Sequence, residues 1–258
     1  MQLAPRLGQY WVTVYKRTWR GSVVSSFVMP LLYLSAMGVG LGSFVDDTSG
    51  PTTLGGVSYL AFIAPGLLAT TAMQTAVGES TYPVMGGFKW DRTYVSMAAS
   101  PLEPSDILLA HLAMVAFRIL TTCSVFLLVL AAFGALTTWW GGPVALGVSV
   151  LLGMAHAAPL FALSSRLDEP SAFSLVYRVG LMPMFLFSGA FFPISQLPPA
   201  VAWLAYATPI WHGVDLSRML TLDTVRVLPA LGHIAYLLLW LGAGWFLARR
   251  AFADRLAT

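Results

Sequence analysis

Charge is what this chain has least of. Of its 258 residues only 10% are Asp, Glu, Lys or Arg, while 57% are hydrophobic and the mean hydropathy is +0.75. Ordinary soluble domains carry roughly 25% charged residues. So few charges cannot solvate a water-facing surface, which excludes a soluble body and makes lipid the solvent for most of the chain. Cysteine is nearly absent too. The one thiol, Cys123, lies inside an apolar run, which excludes a disulfide framework and reads as a small buried residue. No G-x-x-x-x-G-K-[ST] occurs, so the chain has no phosphate cradle of its own. No H-E-x-x-H and no G-x-S-x-G occur either. His111, His156, His212 and His233 are far apart and share no metal-ligand spacing. Catalytic, cofactor and metal residues are therefore expected to be absent. The net charge of +3 does not point to nucleic acid, because most of the basic residues sit where membrane anchors belong. The first twenty residues contain four basic residues and no continuous apolar core, which excludes a cleavable signal. Carboxylates are also missing from the middles of the expected spans, with Glu79 and Asp106 placed at cytoplasmic ends. Ion-coupled carriers commonly use such groups, and no inverted repeat is apparent.

What is present is apolar length. A helix needs about 20 apolar residues to cross the roughly 30 Å hydrocarbon layer. Six segments qualify: 22–44, 57–78, 107–133, 143–165, 172–192 and 228–248. The fifth is the weakest, since Arg178 and Pro183 interrupt it. The chain thus reads as one all-α polytopic membrane domain over 1–258. With the N-terminus inside, the cytoplasmic parts hold Arg6, Lys16, Arg17, Arg20, Lys89, Arg92, Arg166, Arg249, Arg250 and Arg255. The opposite side holds only Arg218 and Arg226. That bias predicts a bacterial inner-membrane protein with both termini cytoplasmic. Ahead of the first span, residues 2–20 place Leu3, Leu7, Tyr10, Trp11, Val14, Tyr15 and Trp19 on one helical face. Cations crowd the other face, the pattern of an amphipathic helix lying in the headgroup plane or packed on a partner.

Two connections are long. The external one, 193–227, is semi-apolar and broken by Pro198, Pro199 and Pro209. Two short helices are predicted, near 199–207 and 210–221, dipping back into the outer leaflet as a re-entrant hairpin, since apolar backbone at that depth must be buried in protein or line a cavity. The cytoplasmic one, 79–106, packs Phe88, Lys89, Trp90, Asp91, Arg92 and Tyr94 into a short stretch between Gly86–Gly87 and Pro101–Pro104, with Ser105 as a helix N-cap. Aromatic and Arg anchors are what protein interfaces prefer, so this loop is the candidate partner-binding surface; a solvated turn anchored by Trp90 is the bland alternative. Arg118 lies twelve residues beyond Asp106, roughly 18 Å along a helix. At that depth it either contacts an anionic or polar substrate group or bonds a neighbouring helix's carbonyls or hydroxyls. Arg178 is nearer the cytoplasmic end and can snorkel. His156 reads as a core histidine donating to a carbonyl.

Three stretches resemble the ABC-2 family of ATP-binding-cassette exporter permeases, especially the branch of nodulation lipo-oligosaccharide and daunorubicin-type drug exporters. They are Tyr59–Met73 (YLAFIAPGLLATTAM), Arg92–Leu102, and Phe185–Pro198 (FLFSGAFFPISQLP) with Pro209–Arg218 (PIWHGVDLSR) after it. The resemblance covers about residues 20–250. It implies the ABC-2 (type V exporter-like) fold, two paired permeases, identical or paralogous, and ATP and Mg bound on separate ABC ATPase subunits. By resemblance, residues 86–98 dock into the ATPase, so Gly87 joins Phe88 to Arg92 and Tyr94 as ATPase-coupling residues. Spans two and five would line the translocation path, with Phe187, Phe191 and Phe192 near its external gate. An aromatic and Met-rich wall of Met182, Met184, Phe185, Phe187 and Phe191 suits amphipathic, lipid-like, glycolipid or drug cargo. Two rivals stand beside this exporter reading. One is a lipid-modifying membrane enzyme built on His212, Asp215 and Arg218, and the other is an ion-gradient carrier.

Overall fold

A computed structural model describes residues 56–257 throughout, residues 31–42 and 44–45, and a few isolated positions before them. The interfacial helix expected over 2–20, and much of the first span, therefore lie outside the described residues. Among the described residues there is no strand. Among the same residues, four helical stretches are long and apolar enough to cross a membrane: Tyr59–Lys89, Pro104–Ala132, Gly141–Ser164 and Val227–Leu256.

The first of these comprises α1 (Tyr59–Ser80) and α2 (Tyr82–Lys89), joined at Thr81. Ser58 caps the start, its Oγ accepting from the Ala61 N–H at 3.3 Å. Pro83 has no N–H to offer the Glu79 carbonyl, which weakens the ladder. The helix bends there but continues, because the Thr81 hydroxyl donates to the Val77 carbonyl at 3.0 Å and the Met85 N–H reaches the Thr81 carbonyl at 3.1 Å. The chain thus stays helical to Lys89 instead of becoming a loop at Glu79. A short helix α3 (Thr93–Ala98) precedes α4 (Pro104–Ala132). Pro104 opens α4 where a missing N–H costs nothing, and Ser105 bonds the Glu103 carboxylate at 3.1 Å where a capping bond was expected.

Helix α5 (Gly141–Ser164) is the hub, packing against α1, α4 and two helices nearer the C-terminus. Its buried face is built largely of small residues, including Ala145, Ser149, Gly153, Ala157 and Ala158, which lets neighbouring backbones approach closely in a medium without a hydrophobic drive. The expected fifth span is shorter than 172–192. It consists of α6 (Ser171–Leu175), a π-helical stretch Val176–Leu181, and α7 (Met182–Leu186). Sixteen residues at 1.5 Å each reach about 24 Å, short of the hydrocarbon thickness. The chain then turns through Gly189, whose φ of +79° suits glycine. Helices α8 (Pro199–Tyr206) and α9 (Pro209–Thr221) lead into α10 (Val227–Leu256). Helix α9 sits between α1, α5 and α10, with Ile210, Val214, Leu216 and Ser217 buried. The polar N–H and C=O groups of this segment are thus inside the bundle and not on a solvent loop.

Candidate functional site

The candidate residues at the α2–α3 turn divide into two sets. Gly87, Phe88 and Tyr94 are buried; Lys89, Trp90, Asp91 and Arg92 are exposed. The turn closes because the Gly86 carbonyl accepts from both Trp90 and Asp91 N–H groups, at 3.1 and 2.9 Å. Arg92 then takes the left-handed conformation, φ 50°, an arrangement that costs a non-glycine residue about 1 kcal/mol and aims α3 across the end of the bundle. Tyr94 has no exposed surface. Its ring meets Phe88 edge-on at 4.7 Å and Phe252 of α10 at 5.3 Å, and its hydroxyl hydrogen-bonds His111 Nδ1 of α4. His111 in turn stacks on Trp11 at 4.1 Å and meets Phe161 of α5 at 5.0 Å. The turn is therefore bolted to α4, α5 and α10 by rings, while Trp90 (53% exposed) and Val95 (40%) face outward beside Asp91 and Arg92.

Close approach of Tyr94 depends on Gly87, where an added Cβ would lie 2.5 Å from the tyrosine ring. Gly87→Val is expected to destabilise by about 1–3 kcal/mol through overpacking, measured by thermal melting. A wild-type melting temperature in that variant would mean that the ring cluster does not fix the turn. A polar tie adds to it. Lys89 Nζ donates to the Asp168 carbonyl at 2.6 Å, and Arg255 pairs with the Asp168 carboxylate at 2.6 Å. The Arg255 hydrogen bond and charge, then the Lys89 charge, hold the Asp168 carboxyl below the usual carboxylate range. Because the folded value is the lowered one, this tie is present at neutral pH and lost as acid titrates Asp168 through that lowered range.

Within the spans, Arg118 Nε pairs with Glu79 Oε1 at 3.1 Å. The helix that carries Glu79 continues to Lys89, and its carboxylate gives Arg118 an ion-pair partner on α1 where neighbouring carbonyls or hydroxyls were the expected structural contact. The missed signal was Arg118 itself, because a charge at that depth calls for a partner. His156 Nδ1 lies 2.9 Å from the Leu152 carbonyl, the core placement expected of it.

The aromatic and Met-rich residues of the fifth segment do not form one wall. Met182 and Phe185 line a cavity of about 460 Å³ with Met73 and Val77 of α1, whereas Met184 and Phe187 face the opposite way, into a cavity of about 220 Å³ beneath α8. Phe191 packs against Phe185 at 5.1 Å, and its carbonyl accepts from the Tyr59 hydroxyl at 3.4 Å. Phe192 beside it is half-buried.

At the other end of the bundle, His212, Asp215 and Arg218 do not converge on one point. His212 Nε2 faces the Tyr206 carbonyl at 3.1 Å, so that nitrogen carries the hydrogen; its Nδ1 meets His233 Nδ1 at 2.8 Å, and His233 Nε2 meets Asp215 Oδ2 at 3.1 Å. With the His212 hydrogen on Nε2, the hydrogen between the two rings comes from His233 Nδ1. The relay ties α9 to α10. Arg218 turns away from it: its Nη2 donates to the Gly189 carbonyl at 2.7 Å, and its guanidinium lies 4.0 Å over the Phe62 ring. His233 and the Gly189 carbonyl, 21 and 29 residues from their partners, belong to no local pattern. Among the described residues no group of three or more His, Cys, Asp or Glu is placed to hold a metal ion.

Comparison with known proteins gives this architecture its relatives. The family model described as ABC-2 type transporter matches residues 7–222. A Nodulation protein J of Rhizobium leguminosarum bv. trifolii is 30% identical over 253 residues, spanning 95% of this chain and 94% of its own length. A Nodulation protein J of Rhizobium meliloti (strain 1021) is 29% identical over 259 residues, spanning 98% and 96%. The inner membrane transport permease YadH of Escherichia coli (strain K12) is 23% identical over 260 residues, spanning 90% and 94%. Matched by the family model over most of its length and by these relatives over nearly all of it, the chain belongs to the ABC-2 type transporter family.

Proposed function

We propose that this chain is the permease subunit of an ATP-driven exporter. Family membership implies partnership with an ABC ATPase subunit. ATP and Mg are bound by that ATPase, and two permeases, identical or paralogous, pair in a bacterial inner membrane. Each crosses six times with both termini cytoplasmic, as the Lys/Arg distribution favours, and the segment from Pro193 to Val227 re-enters the outer leaflet. The cargo is amphipathic: a lipid, glycolipid or drug leaving the cytoplasm or the inner leaflet. Phe187, Phe191 and Phe192 stand nearest the outer gate.

The observation that carries this reading is the α2–α3 turn, which presents Trp90, Asp91 and Arg92 outward while Phe88 and Tyr94 anchor it to three helices. A surface built so transmits a push: displacement of the exposed side chains by a closing ATPase moves α4, α5 and α10 through packed rings and not through a slack loop. Lys89 is committed to Asp168 and extends the rigid block to α10. An ion-gradient carrier would use a free carboxylate in its spans, but Glu79 is engaged with Arg118.

Exposed aromatic and Arg anchors are typical interface hot spots, worth about 2 kcal/mol or more each. Trp90→Ala combined with Arg92→Ala is expected to lower cargo-stimulated ATP hydrolysis by the assembled complex about tenfold or more, with membrane insertion and melting temperature unchanged. ATPase stimulation equal to wild type would sink the assignment of this turn.

A further inference from the structure

The two arginines inside the spans have different fates. Arg118 is matched by Glu79. Arg178, on the π-helical stretch, lines the 460 Å³ cavity, and among the described residues it has neither a hydrogen-bond nor an ion-pair partner. Across the same cavity is Gln74 of α1, an exposed amide equally without one. The rest of the wall is Met73, Val77, Leu181, Met182 and Phe185, with Tyr33 and Tyr177 adding two phenol rings. The depth is set by the neighbours. Tyr177 reaches Thr81, their hydroxyl oxygens 3.2 Å apart, and Thr81 lies eight residues, about 12 Å along the helix, before Lys89. Gln74 is a further seven residues, about 10 Å, inward. A guanidinium and an amide therefore face an apolar hollow at membrane depth, where a charge must meet a counter-charge or a water-filled path.

We propose that this cavity binds the anionic head and adjoining tail of an amphipathic cargo, with Arg178 pairing to the head group. The inference rests on the export reading and narrows its cargo class. A guanidinium forms parallel, charge-assisted hydrogen bonds to a carboxylate, phosphate or sulfate, which neither a zwitterionic head shielded by its own cation nor a neutral drug reproduces. Gln74 offers both a donor and an acceptor to a hydroxyl or amide further along the molecule. The volume falls in the ordinary range for small-molecule sites, roughly 300–1,000 Å³, and two methionines let the wall adapt to tails of different shape. The π-helical stretch contributes geometrically. Its wider turn leaves Tyr177, Arg178, Leu181, Met182 and Phe185 on one face of a 16-residue segment, and such bulges recur at functional sites.

The test uses the permease–ATPase complex in lipid nanodiscs, with two single-chain probes of the same acyl length: lysophosphatidate, whose phosphate is open, and lysophosphatidylcholine, whose phosphate is capped by choline. Wild type is expected to bind lysophosphatidate at least tenfold more tightly. Arg178→Gln should reduce that preference to within about twofold while leaving lysophosphatidylcholine affinity unchanged, and Arg178→Lys should retain part of it. Gln74→Leu should weaken both probes together. Equal binding of the two probes by wild type, or an undiminished preference in Arg178→Gln, would overturn the proposal; the second result would make Arg178 a snorkelling anchor. ATP-driven movement of bound lysophosphatidate to the opposite leaflet supports the site as a cargo site. A charge-selective site whose occupant stays in place while the complex hydrolyses ATP overturns the cargo role and assigns a resident anionic lipid. ATP-driven export of a probe by a complex that shows no charge preference leaves the export reading standing and removes only this site.

Discussion

Arg118→Leu is expected to lower the melting temperature of the purified chain by about 6–12 °C, and Glu79→Leu to do nearly the same, while the double variant recovers most of the loss. The reason is that each single change strands the other charge in a half-buried, low-dielectric position. Breaking a buried pair from one side costs about 3–5 kcal/mol. With the two side chains 25% and 22% exposed, the lower end of that range applies, and each kcal/mol moves a melting point by about 2–4 °C for a chain of this size. Removing both charges removes the cause, because two apolar side chains need no partner in this setting. The cycle also separates two roles for Arg118. A structural arginine gives single losses that cancel in the double variant. An arginine that contacts cargo gives a loss of cargo binding in Arg118→Leu that Glu79→Leu neither reproduces nor repairs. Losses that simply add would mean that the two residues act independently despite their 3.1 Å contact.

This pair marks the limit of what the chain alone reveals. Apolar length announces a span, because twenty residues without charge have no other comfortable place, and the helices at Tyr59–Lys89, Pro104–Ala132, Gly141–Ser164 and Val227–Leu256 lie where the apolar runs are. The end of a span is harder to read. Pro83, Gly86 and Gly87 resemble a turn, yet a proline in the first turn of α2 is tolerated and the helix runs ten residues past Glu79. The Glu79–Arg118 contact joins residues 39 apart, and helical periodicity reports only neighbours three or four apart. The same limit hid the ties of Asp168 to Lys89 and Arg255, and those of Arg218 to Gly189.

The candidate sites were legible in kind but not in orientation. Aromatics beside charges between Phe88 and Tyr94 mark a surface, but the left-handed Arg92 breaks the helical phase, so spacing cannot say that Tyr94 turns inward and Trp90 outward. In the fifth segment, Met182 and Phe185 are three residues apart and share a face. Met184 and Phe187 share the other face by the same rule. Their common chemistry suggested one wall, and the helix divides it into two. Arg178 was discounted because its position allowed snorkelling; only the placement of α1 across from it reveals the cavity it lines.

The largest effect at the opposite end is expected from Arg218→Met, a change that keeps length and apolar stem but removes every donor. The Gly189 carbonyl loses a charge-assisted hydrogen bond worth about 1.5–3 kcal/mol. The Phe62 ring loses a cation contact worth about 1–2 kcal/mol where water is excluded. A weaker contact from Nε to the Phe62 carbonyl, at 3.4 Å, goes as well. Together these amount to about 2.5–5 kcal/mol, or a melting point lower by about 5–20 °C. The loss is local in origin. Arg218 is a half-buried residue of α9 that spans from α1 to the Phe187–Pro193 turn, so its removal loosens the turn from α1, leaving the 3.4 Å bond from Tyr59 to the Phe191 carbonyl, while α9 stays packed on α5 and α10. Arg218→Lys retains the charge but offers a single ammonium to groups that the planar guanidinium reaches together, and it should lie between wild type and Arg218→Met. On the export reading the loosened turn is the outer gate, so the methionine variant should also leak: a reconstituted complex without ATP should pass an amphipathic probe that wild type retains. An Arg218→Met variant that melts as wild type and holds the probe would show that the turn is positioned by its own packing, through Ser188, Ala190 and Ile194, and not by this arginine.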